Sequence, residues 1–106
     1  MIDINFLENN RLKFEWDENK NQENIKKHGV DFNEAATIFF NDYLEIPDIE
    51  HSEIEERFIA FGISSLLREL VVCYCIREII NGDAVMRIIT ARKANLNERR
   101  IFFDER

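Results

Sequence analysis

Leu12, Phe14 and Trp16 alternate with Lys13 and Glu15, a period of two that predicts a strand within residues 4–16, and Asn9-Asn10 offers a tight turn that would make it a hairpin. Asp17 follows as a helix N-cap and Gly29 as a C-terminal stop, which brackets a helix of about 11 residues. Its pattern is unusual, because between Glu18 and His28 the sole aliphatic residue is Ile25. Such a helix gains little from an apolar face, and Lys20, Asn24 and Lys27 fall on one side of it. A second, shorter helix is predicted over residues 31–40, where Ala35, Ile38 and Phe39 face a core. Residues 48–56 carry five acids and His51 with little apolar content, the pattern of a solvated loop between two strands. Three runs rich in β-branched and aromatic residues follow, residues 57–63, 70–76 and 85–90, separated by turns around Ser64-Ser65 and Asn81-Gly82-Asp83. They predict an antiparallel meander whose middle strand, apolar on both faces, is central. Residues 93–103 close the chain as a final helix.

At 106 residues the chain has room for one domain, residues 1–106, and 45% hydrophobic against 33% charged residues supports a packed core. No apolar run reaches the roughly 18 residues of a membrane helix and no signal peptide is visible, so a cytoplasmic protein without a membrane partner is expected. Cys73 and Cys75, two apart in an apolar run, lack the spacing of a zinc or redox pair and read as reduced core residues. With His28 and His51 as the two histidines, no metal site is expected, and no glycine-rich nucleotide loop or serine nucleophile motif is present, so no cofactor is expected.

Net charge is −7, which taken alone argues against a nucleic-acid partner. The charge is unevenly spread. Residues 1–56 hold fifteen acids and five bases, whereas residues 57–106 hold nine bases and six acids, and those bases are all Arg except Lys93. Arginine suits bidentate phosphate contacts, so a local anion site on an acidic protein is consistent with the sequence. RNA cleavage without metal needs a base for the 2′-hydroxyl, an acid for the 5′-oxygen and cations for the phosphorus centre, and the His, Lys, Glu and Arg residues present can supply them. The plainer reading of the same residues is a solvated face for Lys20 and Lys27, strand-end arginines paired with the acids of the first half, and His28 as a helix C-terminal cap.

The string Phe14-x-Trp16-Asp17-x-x-Lys20-x-x-x-Asn24-x-x-Lys27-His28-Gly29-Val30-x-Phe32-x-Glu34-Ala35, then Phe39 and Asp42, resembles the opening signature of the BrnT-type toxins of bacterial type II toxin–antitoxin systems. Glu56-Arg57, Gly62, Arg68 before Leu70-Val71-Val72, Tyr74, Arg77, and residues 87–94 with Glu98-Arg99 are similar to the family's later blocks. The resemblance covers about residues 14–103 and leaves residues 1–13 as an N-terminal extension. It implies an α+β fold of the RelE/ParE type, with an antiparallel sheet of about four strands packed against N-terminal helices, a C-terminal helix, and an open, basic sheet face that handles RNA.

The implied activity is a metal-independent endoribonuclease that arrests translation and growth. Its implied partners are RNA and a BrnA-like, DNA-binding antitoxin that neutralises it and with which it represses its own operon. On that basis the catalytic candidates are Lys27 or His28 for proton transfer, Glu56 as base, and Arg57 and Arg68 on the scissile phosphate; Lys20, Arg77, Arg92 and Lys93 are RNA-binding candidates. An apolar groove around Phe39, Phe40 and Phe103, or the acidic surface, is expected to receive the antitoxin. Two positions depart from the family pattern: Leu67 stands where Gly is expected before Arg68, and Phe102 where Tyr is expected. Two other readings keep the fold: a catalytically weak antitoxin-binding co-repressor, and a ParE-like inhibitor of DNA gyrase.

Overall fold

A computed structural model describes residues 2–9, 12–80 and 83–103. Strand β1 (Ile2–Asn9) pairs with β2 (Leu12–Asp17) as the expected hairpin, whose turn lies outside the described residues. Helix α1 (Glu18–His28) starts where Asp17 accepts the Asn19 and Lys20 amides and ends at Gly29, whose φ of 70° is the left-handed conformation that glycine adopts without a Cβ penalty. Helix α2 (Phe32–Ala36) tightens into a 3-10 turn over Thr37–Phe40. Then come β3 (Tyr43–Pro47), β4 (Arg57–Ile63), β5 (Glu69–Ile80), β6 (Asp83–Lys93) and a C-terminal helix α3 (Leu96–Glu98) that widens into a π turn over Arg99–Phe103.

Among the described residues the sheet has six strands in the order β1-β2-β6-β5-β4-β3, not about four, and it is mixed rather than antiparallel. Edge strand β3 is the strand expected before the 48–56 loop, and its bounds are unmarked in the sequence because it is exposed along its whole length. The parallel pair is β2 with β6, which register Phe14 with Met86 and Glu15 with Arg87. It arises because α1 and α2 carry the chain across one face to the far edge, from which the meander β3 to β6 returns until its last strand lies beside β2. Of the predicted turns, that at Asn81-Gly82-Asp83 has its first two residues outside the described ones.

Both helices cover one face. Phe14, Trp16, Phe32, Ile38, Phe39, Tyr74, Met86 and Ile88 form a single buried cluster there. Its rings meet edge to face, as Phe39 does with Tyr74 at 5.0 Å between centroids and Trp16 with Phe32 at 6.1 Å. Gly62 lies beneath the 3-10 turn, where a Cβ would stand 2.9 Å from the Cβ of Ile38. On the opposite face a smaller cluster of Phe61, Val71 and Phe103 is capped by α3 and its π turn, and Phe102 stacks on Phe61 at 3.9 Å.

Helix α1 docks through amides rather than aliphatics. Strand β2 ends at Asp17, so β6 runs on past its partner with a bare edge. Buried Asn24 fills that gap: its Nδ2 donates to the carbonyl of Ala91 at 2.8 Å and its Oδ1 accepts from the Ala91 N–H at 3.2 Å, the two-bond exchange of a paired strand residue. The same Nδ2 donates to the Val30 carbonyl at 2.9 Å. Buried Asn21 accepts from the Phe32 N–H and donates to Asp31, which fixes α2 against α1.

Two stability measurements follow. Asn24→Ala strands the Ala91 donor and two carbonyls in a dry interface and is expected to cost about 3 kcal/mol in urea denaturation, and Asn24→Leu recovers none of it; a change under about 0.5 kcal/mol would refute the edge-filling role. Leu67, in the turn where its N–H donates to Ser64, has φ 62°, a conformation L residues avoid, so Leu67→Gly is expected to raise stability by about 1 kcal/mol, and a loss would contradict the strain.

Candidate active site

The face without α1 and α2 carries a charged row fixed by strand register. Arg57 on β4 stands opposite Cys75 on β5, Cys75 opposite Arg87 on β6, and Arg87 opposite Glu15 on β2. At about 4.8 Å between strands, two guanidinium bases lie some 10 Å apart on one surface. Arg87 donates to Glu15 at 3.2 Å, and Arg77 to Glu55 at 3.1 Å. Glu55 also accepts from the Cys75 thiol, and that bond, with Arg77 aiding and burial opposing, holds its carboxyl below the ordinary range. Burial first, then Glu55, pushes the Cys75 thiol up, so it is protonated at neutral pH. Arg57 differs from its neighbours: its Nε is buried and has no hydrogen-bond partner among the described residues.

The loop before β4 adds a histidine. A 3-10 turn, Ile49–His51, brings the His51 ring back to buried Asp48, with Nδ1 at 2.9 Å from Oδ2. The Ser52 hydroxyl ties the loop down, donating to the Asp48 carbonyl at 2.6 Å and accepting from the Arg57 N–H at 3.0 Å. His51, Glu55 and Arg57 line one shallow groove of about 320 Å³ together with Glu50, Glu53 and Ile54.

The residues singled out by sequence divide into two groups. Glu56, exposed, adjoins Arg57, and Arg77 reaches the same neighbourhood. Lys20 and Lys27 are exposed on α1, and His28 is its half-buried last residue, all on the helical layer. Arg68 lies with that second group. It forms an ion pair with Glu34 on α2, its Nε donating to Oε2 at 2.9 Å, and it donates to the Gly29 carbonyl at 3.0 Å. Exposed Lys93 shares a groove of about 560 Å³ with Arg68 and Arg99. Strand β4 separates Arg57 from the Arg68 turn by six residue steps, about 20 Å at 3.3 Å per residue. Arg92 lies along β6 between the groups, in a bidentate pair with Glu98 at 2.8 Å on both bonds, which holds that carboxyl low and the guanidinium high.

The sequence reading missed the Asp48–His51 pair, whose signal was a histidine one helical turn after an acid inside a loop that otherwise reads as solvent-facing. Arg87, a polar candidate by sequence with no role assigned, joins the row through strand register and pairs with Glu15, 72 residues away.

A wider groove of about 1030 Å³ runs between β3 and the C-terminal turn, lined by Phe40, Tyr43, Leu44, Phe61, Phe102 and Phe103 among others. Phe39, expected there, lies beneath it in the main core.

Glu34 is buried, and its bond to Arg68, against the effect of burial and with help from Ser64, holds its carboxyl below the ordinary 4.5. A depressed folded-state value contributes stability above pH 4.5, lost as pH falls through the folded value. Arg68→Met leaves Glu34 unpaired and is expected to lower stability at pH 7 by about 3 kcal/mol and to flatten the acid-side decline between pH 5 and 3. An unchanged urea midpoint at pH 7 would remove Arg68 from the framework.

The family profile described as "Ribonuclease toxin, BrnT, of type II toxin-antitoxin system" matches residues 16–98. Among solved structures, the chain is similar to the Brucella abortus ribonuclease toxin BrnT, with 26% identity and a TM-score of 0.55 over 76% of this chain and 92% of that one. No curated protein matches significantly. No described helix is long and apolar enough to cross a membrane. The matched region runs from Trp16 in the core through Glu98, the partner of Arg92, so it takes in both groups of candidate residues. The chain belongs to the BrnT family of ribonuclease toxins of type II toxin–antitoxin systems.

Proposed function

We propose that this chain is a cytoplasmic, metal-independent endoribonuclease on a RelE-like scaffold, and that RNA lies across the face of the sheet that α1 and α2 leave open. The observation that carries the reading is Arg57, a guanidinium with a buried, unsatisfied Nε in register with Arg87 and beside Arg77. A buried donor without a partner costs about 1–3 kcal/mol, so the fold holds Arg57 in place at a cost, and a guanidinium held beside a groove suits a phosphate. Arg57, Arg77 and Arg87 bind the scissile phosphate and the charge that builds on it, while Arg92 extends the basic strip along β6 and Lys93, beside Arg68, meets only RNA that continues past the strand end. Because Arg77, Arg87 and Arg92 each hold a carboxylate in the free protein, RNA displaces Glu55, Glu15 and Glu98 as it binds. Glu56 adjoins this row, whereas Lys20, Lys27 and His28 meet only RNA that wraps onto the helical layer, and Arg68 holds the fold.

A type II toxin has an antitoxin partner. The wide groove beside β3, where Leu44 is 51% exposed on an edge strand, suits an antitoxin segment that pairs with that edge and buries apolar side chains between Tyr43 and Phe102. Cationic residues on that segment would match the acidic first half of the chain. We assign it to a BrnA-like protein whose DNA-binding domain brings the pair to their operator. The carboxylates already paired with the arginines favour a second reading, a catalytically weak co-repressor module.

Incubation of the purified chain with labelled RNA in EDTA separates the two. Fragments ending in 2′,3′-cyclic phosphate are expected, with cleavage by Arg57→Ala slower by about 100-fold. Intact RNA beside a folded protein would support the co-repressor module.

A further inference from the structure

We infer that His51 is the general base of the ribonuclease reaction and that Asp48 positions it, an inference that rests on the ribonuclease reading above. Four observations converge on the loop before β4. His51 lines the same groove as Arg57, the guanidinium left with a buried, unsatisfied donor. Its side chain is 60% exposed while that of Asp48 is 11% exposed, so one partner is open to a ligand and the other is fixed in the protein. Asp48 stands at the N-cap position of the 3-10 turn and yet makes no side-chain bond to its amides, the common use of Asp there; its carboxylate is turned to the imidazole instead. The loop is braced at its base, since the Asp48 N–H donates to the Arg57 carbonyl at 2.8 Å and Ser52 bridges both residues. A supported side chain is what a positioned base requires.

The tautomer follows from the pairing. A carboxylate accepts from Nδ1–H, which leaves Nε2 of the neutral ring with its lone pair, on a residue that lines the groove. With a phosphodiester on Arg57, Nε2 takes the proton of the adjacent 2′-hydroxyl. The 2′-oxygen bonds to phosphorus and the P–O5′ bond breaks. The departing 5′-oxygen takes a proton from water in the open groove, and the imidazolium returns its proton to solvent. The products are a 2′,3′-cyclic phosphate and a 5′-hydroxyl, with no metal or external reagent consumed. Charged groups around the ring are Asp48, Glu50, Glu53, Glu55 and Arg57. Glu50 and Glu53 are exposed and screened by water, and Glu55 is engaged by Arg77 and Cys75.

Single-turnover cleavage of labelled RNA in EDTA by the full chain, with affinity measured on an RNA carrying 2′-deoxyribose at the cut site, tests this. His51→Ala is expected to lose about 100-fold or more in rate with affinity within about twofold, and added imidazole to restore at least about tenfold. Asp48→Asn is expected to lower the rate about tenfold with affinity unchanged, the mark of a positioning residue. Wild-type rates in His51→Ala, or a loss of rate matched by an equal loss of affinity, would overturn the assignment while the ribonuclease reading stands. A wild-type chain that leaves RNA intact would defeat both.

Discussion

The fold turns on an unpaired strand edge. Strand β6 is longer than the β2 partner beside it, and beyond Asp17 its backbone groups face no strand. Asn24 takes the place of the missing residue by exchanging both amide bonds with Ala91, and it reaches Val30 with its remaining N–H. This explains why α1 is so poor in aliphatic residues. A helix laid over a bare edge meets polar backbone, so a carboxamide at its centre stabilises more than a leucine would. Asn21 repeats the device one turn earlier against Phe32 and Asp31.

Hanging the helical layer in this way decides which face remains for chemistry. Helices α1 and α2 cover the main core on one side, and Arg68 with Glu34 locks α2 to the turn after β4. On the other side α3 covers only the end near Phe61 and Val71, which leaves the row from Arg57 to Glu15 in reach of a ligand. Sheet register then does the aligning. Residues distant in sequence, Glu15, Arg57, Cys75 and Arg87, stand side by side because each occupies the same row of four adjacent strands.

What the sequence made legible is what local chemistry determines. Asp17 and Gly29 marked the ends of α1 because a cap and a left-handed stop act within a few residues. Strands β4, β5 and β6 stood out through runs of β-branched residues, and Leu67, where the resemblance led us to expect glycine, has a left-handed backbone. Strand β3 was implied by the loop that follows it but had no legible bounds, because an edge strand exposed on every residue carries no burial alternation. The parallel β2–β6 pair depends on a long crossover that no local pattern records. Residue chemistry and resemblance together named the candidates, but only the fold separates those on α1 and at Arg68 from those at Arg57 and Arg77, and only the fold returns His51 to Asp48.

The central claim is that RNA meets the face not covered by α1 and α2, through the row that begins at Arg57. The direct measurement is an NMR titration of the full chain with a short RNA made uncleavable by 2′-deoxyribose, followed through backbone amides and arginine side chains. The account predicts shifts concentrated at Arg57, Arg77, Arg87 and the His51 loop, with Lys20 and Lys27 unmoved. Shifts confined to α1 and the Arg68 turn, with the Arg57 row silent, would contradict it.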